Sequence, residues 1–375
     1  MIIPEVFDNI KKAIEKTGFP LEYQVSKILQ KRGWMVINNR YYIDDVEDSP
    51  REMDVLAYKV KSIDGINLYL TLLISCKKND DNAWVFCVRD VTNDYKINVN
   101  VSPDSFWTNV PELEFINDQS SIGAKIMDAA GNNGVANGAF RINMQYLASQ
   151  EVSLAKGAPH NDKAIFNSIS GLMKAEYFEK THLEKRKKEP SIYIFNLITI
   201  VDLRLFEYDF SDEKNPVSEK SDVTYVYSFI INKAQSASRI RFSKINDFLK
   251  VLDDYDQMQK IAISEIGQML KKFYDGIFSD YKRMSVVSKQ VHPIISDIIN
   301  TSLRLYGDKK VRYLFYSLTG DCSCLKIEVV ADGLTAEILE KLSDNSKVQI
   351  AEMIKKYFRY EGAISYVFCD DAPPF

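Results

Sequence analysis

Two charged residues, Asp54 and Lys77, stand at the ends of two predicted β-strands that pair with each other. The dipeptide Asp64-Gly65 joins these strands and is typical of a two-residue type I′ turn, in which both positions need a positive φ. Counting back from the turn places Asp54 opposite Ser75, with Lys77 diagonally on the same face. A carboxylate that holds a divalent cation beside an ammonium that neutralises phosphate charge suits phosphodiester hydrolysis. A surface ion pair is the alternative interpretation.

The elements around this hairpin must form a sheet that buries it. Residues 55–60 and 68–74 are apolar on both faces of the hairpin, which is typical of a strand pair at the centre of a sheet. Residues 165–190 predict one helix, a segment that ends at Pro190, and the near-continuous β-rich run at 192–201 predicts a further strand. The fold class that follows is α/β, with a mixed central sheet flanked by helices.

A helix upstream of the hairpin carries a further acidic residue. Pro20 suits the first position of a helix, and Leu21, Val25 and Leu29 recur at the spacing of one apolar face. Glu22 lies in the first turn. It is either an acid favoured there by the helix dipole or a carboxylate that reaches toward a metal at the strand ends.

These residues, in this order, resemble the PD-(D/E)XK, or restriction-endonuclease-like, nuclease superfamily, especially its Mrr-like and Holliday-resolvase-like branches. Asp54 matches the Asp of the motif, and Ser75-Cys76-Lys77 occupies its Asp/Glu-x-Lys element. The resemblance implies catalytic roles for Asp54, Ser75, Lys77 and Glu22. It also implies that Mg²⁺ or Mn²⁺ is bound by Asp54, Glu22 and the backbone carbonyl of Cys76.

The chain departs from this motif at two positions. Met53 precedes Asp54 where the superfamily commonly has proline, and Ser75 stands where it has a metal-binding acid. Glu52 lies two residues before Asp54, hence on the same face, and could supply the carboxylate that Ser75 lacks. The resemblance implies a Mg²⁺-dependent nuclease that acts on DNA, in restriction or anti-phage defence. Ser75 keeps open the alternative of a catalytically weak or inactive member of the fold that binds nucleic acid or a protein.

Contact with DNA requires cations, and the chain is not basic overall. The net charge is −4, so only a local positive groove could bind a phosphate backbone. Lys78 follows the motif directly. The densest basic cluster ends the long predicted helix and comprises Lys185, Arg186, Lys187 and Lys188. These four residues are either phosphate contacts or a solvated helix end favoured by the dipole.

Composition sets the remaining expectations. A length of 375 residues with 46% apolar residues predicts two globular domains, placed at 1–245 (nuclease domain) and 246–375 (α/β accessory domain). Five cysteines without a disulfide framework, together with no membrane span, predict a reduced, cytoplasmic protein. The accessory domain is expected to bind a partner protein or a second copy of the chain. Residues 127–140, rich in Gly, Asn and Ala, predict a loop.

Overall fold

The computed structural model describes residues 4–90, 105–132, 144–214, 216–305, 310–319, 324–331 and 336–368. Its helices are α1 (Pro4–Glu15), α2 (Phe19–Lys31), α3 (Pro111–Gln119), α4 (Ile122–Asn132), α5 (Lys163–Arg186), α6 (Phe248–Tyr274), α7 (Tyr281–Leu303), α8 (Ala336–Glu340) and α9 (Asp344–Phe358). Its strands are β1 (Met35–Ile43), β2 (Pro50–Ile63), β3 (Ile66–Asp90), β4 (Phe106–Thr108), β5 (Met144–Ser153), β6 (Ser191–Asp209), β7 (Val217–Lys220), β8 (Asp222–Ile231), β9 (Ala234–Lys244), β10 (Val311–Leu318), β11 (Cys324–Ala331) and β12 (Ala363–Phe368). Within these residues, no helix has a stretch long and apolar enough to cross a membrane.

A large mixed sheet forms the centre of unit 1, the first of two compact units, which comprises Met1–Val110 and Ser120–Gly267. Its main strands lie in the order β1-β2-β3-β6-β9-β8. The pairs β3/β6 and β6/β9 are parallel, whereas β1/β2, β2/β3 and β8/β9 are antiparallel. The predicted mixed α/β class is therefore confirmed, and β3 is an internal strand with a neighbour on each side.

Different helices cover the two faces of this sheet. Leu56 and Leu73, on one face of the hairpin, share a buried apolar cluster with side chains of α5. On the opposite face, Lys59 forms an ion pair with Asp256 of α6. Arg32, directly after α2, lies 3.3 Å from the same carboxylate, and α2 packs against β1, β2 and β3. Residues 55–57 and 70–74 of the hairpin are thus buried on both faces, as the apolar pattern predicts, whereas residues 60–62 near the turn are exposed.

The turn between β2 and β3 has the predicted conformation and sets the predicted register. Asp64 has φ 50° and Gly65 has φ 81°. Both values lie in the left-handed region that a type I′ turn requires. The ladder runs from Ile63 opposite Ile66 back to Val55 opposite Ile74. Because side chains alternate between faces, a slip of one residue would move every side chain of the hairpin to the wrong face.

Substitution of Gly65 by alanine tests how firmly this turn sets the register. A Cβ at Gly65 would meet no heavy atom within 4 Å, so the cost comes from the backbone conformation alone. We expect the free energy of unfolding to fall by about 1–2 kcal/mol in urea denaturation. Gly267→Ala, within α6 and also without a close neighbour, is the matched control and should be neutral or stabilising. Equal effects of the two substitutions would contradict the assigned turn.

Unit 2 comprises Pro111–Gln119 and Gln268–Phe375 and has its own sheet and core. In its sheet, β11 pairs antiparallel with β10 and parallel with β12. Buried side chains of α7, α9, β10 and β11 form one apolar cluster, and partly buried side chains of β12 pack against it. Helix α3 is held by Glu112, whose Oε1 accepts hydrogen bonds from Tyr274 at 3.0 Å and Gln290 at 3.1 Å.

The division between the units falls inside α6, whereas the sequence predicts a boundary at 245/246. The greater part of α6, Phe248–Gly267, belongs to unit 1, and its side chains contact the large sheet, for example Asp256 with Lys59 of β2. Phe248 and Leu252 are fully buried, and Asp254 binds Arg241 of β9 at 2.7 Å. In the sequence, the change near residue 245 from strand-like to long helical patterns resembles the start of a new domain, although the first part of that helix packs on the preceding one.

Candidate active site

The open end of the β2/β3 hairpin brings the predicted motif residues together. The Nζ atom of Lys77 lies 3.7 Å from Oδ2 of Asp54. The same oxygen accepts a hydrogen bond from the backbone N–H of Cys76 at 2.6 Å and one from Ser75 Oγ at 3.3 Å. Lys77 also donates to the carbonyl of Cys76 at 3.2 Å. Carboxylate, hydroxyl, carbonyl and ammonium therefore converge at one point.

Glu22, in the first turn of α2, is coupled electrostatically to this group. Burial raises the pKa of Glu22, and the negative charges of Asp54 and Glu52 raise it further, while Lys77 lowers it. Gly18 leaves space for the carboxylate, since a Cβ there would lie 3.1 Å from Oε1 of Glu22. Glu22 therefore lies close enough to Asp54, Glu52 and Lys77 to sense their charges, but it is not among the residues that line the cleft beside them.

A cleft of about 500 Å³ opens beside these residues, between the strand ends and the first half of α5. Asp54, Ser75 and Lys77 form part of its wall, and further cations line it from α5 and β2. Two of these, Lys174 and Arg51, bind acids of the loop before β2. Lys163 is exposed and makes no ion pair within the part of the chain that the structure describes. The cleft thus contains carboxylates, among them Asp54 and Glu52, together with Lys163, whose positive charge is available to an anionic ligand.

The sequence analysis does not predict that α5 lines the cleft, although the spacing of its polar residues indicates this. Lys163, Asn167, Ser170 and Lys174 all line the cleft. Their spacing of i, i+4, i+7 and i+11 defines one helix face, so they form a polar stripe along the first half of α5, where the other positions are largely apolar. Such a stripe indicates that one side of the helix faces a solvent-filled cleft.

The basic residues predicted to contact DNA do not gather at this cleft. Lys78 points to the opposite face of β3 from Lys77 and lies 3.6 Å from Asp202. Arg186 binds Glu179 at 2.6 Å, and Lys187 donates to the Tyr69 hydroxyl at 3.0 Å. These two and the exposed Lys185 and Lys188 lie next to the first residues of β6.

The pairing of β3 with β6 separates this cluster from the motif. Ser191, the first residue of β6, pairs with Asn67, whereas Val201 pairs with Lys77. Ten residues of extended strand correspond to a distance of about 33 Å. The four basic residues at and directly after the end of α5 therefore lie at the far end of the strand from Asp54 and Lys77, and the predicted phosphate contacts there are not part of this cleft.

The donor set at the strand ends fits a hard cation held by few protein ligands. Asp54 and Glu22 offer carboxylate oxygens and Cys76 offers its carbonyl, and Mg²⁺ is commonly bound through one or two carboxylates with water completing the octahedron. Burial raises the pKa of the Cys76 thiol well above its usual value, so its sulfur stays protonated. Among the described residues, no group of three or more His, Cys, Asp or Glu side chains is arranged to hold a metal ion.

Comparison with known proteins adds no relative. No protein-family model matches the chain, and neither a curated protein nor a solved structure matches it. The resemblance to the nuclease superfamily therefore depends on Glu22, Asp54 and Ser75-Cys76-Lys77 and on the hairpin that carries them.

Proposed function

We propose that this protein is a metal-dependent nuclease that hydrolyses phosphodiester bonds of DNA at the cleft beside Asp54 and Lys77. The observation that supports the proposal is the convergence of Asp54, Ser75, Cys76 and Lys77 at one end of a buried hairpin, linked by polar contacts of 3.7 Å or less. The adjoining cleft of about 500 Å³ has the size of a ligand site. Restriction or anti-phage defence in the cytoplasm is the setting that the resemblance suggests.

Each residue has a distinct role in this proposal. Asp54, Glu22 and the carbonyl of Cys76 would hold Mg²⁺ or Mn²⁺, which supplies polarisation of a phosphoryl oxygen and a lower pKa for a bound water. Lys77 stabilises the negative charge that develops on the phosphate, in a partly buried position where such a contact is strong. Lys163 binds a flanking phosphate of the substrate, since its ammonium is exposed at the cleft.

Ser75 favours a second candidate function, that of a weak or inactive member of the fold that binds nucleic acid or a protein partner. A hydroxyl is a poorer ligand for Mg²⁺ than a carboxylate. The Asp54 oxygen is already satisfied by the Cys76 N–H at 2.6 Å, a hydrogen bond that stabilises it without a metal. The two candidates differ in one property, because only the first requires cleavage.

A plasmid assay separates the two candidates. Purified protein should cleave supercoiled plasmid in the presence of Mg²⁺ or Mn²⁺ and stop when a chelator is added. Linear duplex DNA, single-stranded DNA and RNA, offered in parallel, would identify the substrate form. Absence of cleavage of all four substrates with either metal, together with retained DNA binding, would favour the binding function instead.

We expect Ser75→Glu to strengthen metal binding. The substitution adds a carboxylate opposite Asp54, at the position where the superfamily motif has an acid, and carboxylates are the preferred ligands of Mg²⁺. The dissociation constant for Mn²⁺ measured by titration calorimetry should fall by about tenfold or more, equivalent to about 1.4 kcal/mol. Ser75→Gln, similar in size but neutral, is the control. If both variants bound Mn²⁺ equally, the metal would not be held at these strand ends.

We further propose that unit 2 recruits a partner protein or a second copy of the chain. The residues proposed to bind metal and substrate all belong to unit 1. Light scattering on the full chain, with and without DNA, tests whether it forms an oligomer. A mass equal to one chain under all conditions would contradict self-association.

A further inference from the structure

A second cavity, of about 430 Å³, lies on the same face of the large sheet as the cleft but beside the other half of α5. We call it the tyrosine pocket, defined by Tyr58, Tyr69, Tyr193, Lys187 and Ile37. Tyr69 and Lys77 lie on one face of β3, eight residues apart, so the pocket is about 26 Å from the motif along the strand. Its volume is within the range of small-molecule sites.

Aromatic rings from neighbouring strands form the wall of the tyrosine pocket. Tyr69 stacks on Tyr193 with ring centroids 4.3 Å apart and planes within 5°. Tyr58 lies tilted beside Tyr69 at 5.9 Å. Lys187 occupies a face of Tyr69, with Nζ 4.4 Å from the ring centroid. Within the described residues, Tyr58 contacts no ring other than Tyr69, and it is only partly buried, so part of its side chain lines the pocket.

Apolar side chains next to Tyr58 are left exposed on the open side of the pocket. Met35 is 60% exposed, Val60 is 39% exposed and Ile37 is 37% exposed. Met35 pairs with Tyr58 across β1 and β2, so these side chains continue the flat surface around its ring. An exposed apolar surface beside a partly exposed aromatic ring favours a planar, apolar ligand group.

The charges that line the pocket favour an anion. Arg40, Arg186 and Lys187 are the cations in its wall, and Glu179 is the one carboxylate among the described lining residues, which leaves an excess of positive charge. Glu179 binds both Arg40 and Arg186, so one carboxylate is shared between two guanidinium groups. Because the two guanidinium groups share one carboxylate, each of them retains N–H donors that could bind a phosphate.

We propose that the tyrosine pocket binds a nucleotide, with the base against Tyr58 and the phosphate near Lys187 and Arg186. A planar aromatic group and an anionic group are the two features that the pocket matches, and a nucleotide combines both. The nucleotide is either free or part of a strand. Binding here is independent of hydrolysis, because it uses none of the residues at the strand ends.

Titration calorimetry on the full chain carrying Lys77→Ala, with chelator present, tests the proposal without cleavage. The probes are AMP, UMP, inorganic phosphate and a single-stranded oligonucleotide. Tyr58→Leu should weaken nucleotide binding about tenfold, because stacking is lost while an apolar side chain remains. Tyr58→Phe should restore it. Lys187→Gln should weaken binding by a similar factor, whereas Lys185→Gln, an exposed lysine on the same helix end outside the pocket, should not.

The pattern across probes distinguishes the two sources of the nucleotide. If the variants change the affinity for AMP or UMP as described, the pocket is a site for a free nucleotide. If they change only the affinity for the oligonucleotide, the pocket binds one nucleotide of a strand. The proposal is overturned if neither the mononucleotides nor the oligonucleotide bind, or if inorganic phosphate binds as tightly as AMP. It is also overturned if Tyr58→Leu and Lys187→Gln leave the nucleotide affinity unchanged while the melting temperatures of both variants match that of the parent. None of these outcomes depends on nuclease activity.

Discussion

Lys77→Ala should lower the rate of DNA cleavage by about 100-fold or more and leave the stability of the protein nearly unchanged. The ammonium lies beside Asp54 and faces the cleft. Loss of one such electrostatic contact in an active site commonly costs about 10²–10³ in rate. The stability should hold because the pair is partly solvated, with side chains 31% and 21% exposed. Such pairs contribute about 0–1 kcal/mol.

Lys61→Ala is the matched control for this experiment, since Lys61 is an exposed lysine of the same hairpin that does not line the cleft. Plasmid cleavage is followed by gel, and unfolding is followed by urea denaturation for both variants. A Lys77→Ala protein that cleaves at the parental rate would remove the lysine from the mechanism. Equal losses in both variants would point to non-specific charge effects.

Arg241→Met should produce a larger loss of stability than any substitution at the cleft or in the turn. The Arg241 side chain is only 4% exposed. It binds two carboxylates, Asp222 at 2.7 Å and Asp254 at 2.7 Å. Removal of the guanidinium leaves both carboxylates without their shared cation, and breaking a buried ion pair in this way costs about 3–5 kcal/mol. Urea denaturation measures the difference.

The pH dependence of this loss identifies its cause. Burial raises the pKa of Asp254, and Arg241 opposes that rise, so the pKa of this carboxyl should rise further in the variant. A raised pKa in the folded state favours the protonated form, so the deficit should shrink as the pH is lowered and grow as it is raised. Arg204→Met, which removes an exposed partner of Glu219, should have little effect at any pH. A pH-independent deficit would indicate lost packing instead.

The β2/β3 hairpin could be predicted from sequence because its information is local. A two-residue turn fixes the register, and the register fixes which side chains of β2 and β3 share a face. The contact between Asp54 and Lys77 follows by counting from Asp64-Gly65. The presence of β6 as a further strand also follows from its apolar run, although its parallel pairing with β3 does not.

Features that depend on tertiary contact were harder to predict. The loop predicted at 127–140 is wrong in its first part, since Met127–Asn132 belong to α4, where Ala130 is buried, and residues 133–140 lie outside the described ranges. The basic run at Lys185–Lys188 gives no indication of where its helix ends relative to the sheet. Its distance from the motif follows only from the register between β3 and β6.

The parallel pairing of β3 with β6 has a consequence for the order of folding. The β2/β3 hairpin closes through a two-residue turn and can form as soon as it is synthesised, because short loops carry little closure entropy. Its partner β6 and the helix α5 come much later in the chain, and such non-local parallel pairings form slowly. We therefore expect the contacts between β2 and β3 to form before the wall of the cleft does. In a chain that has not yet added β6 and α5, the hairpin would bring Asp54 and Lys77 into register without the helix that positions a substrate against them.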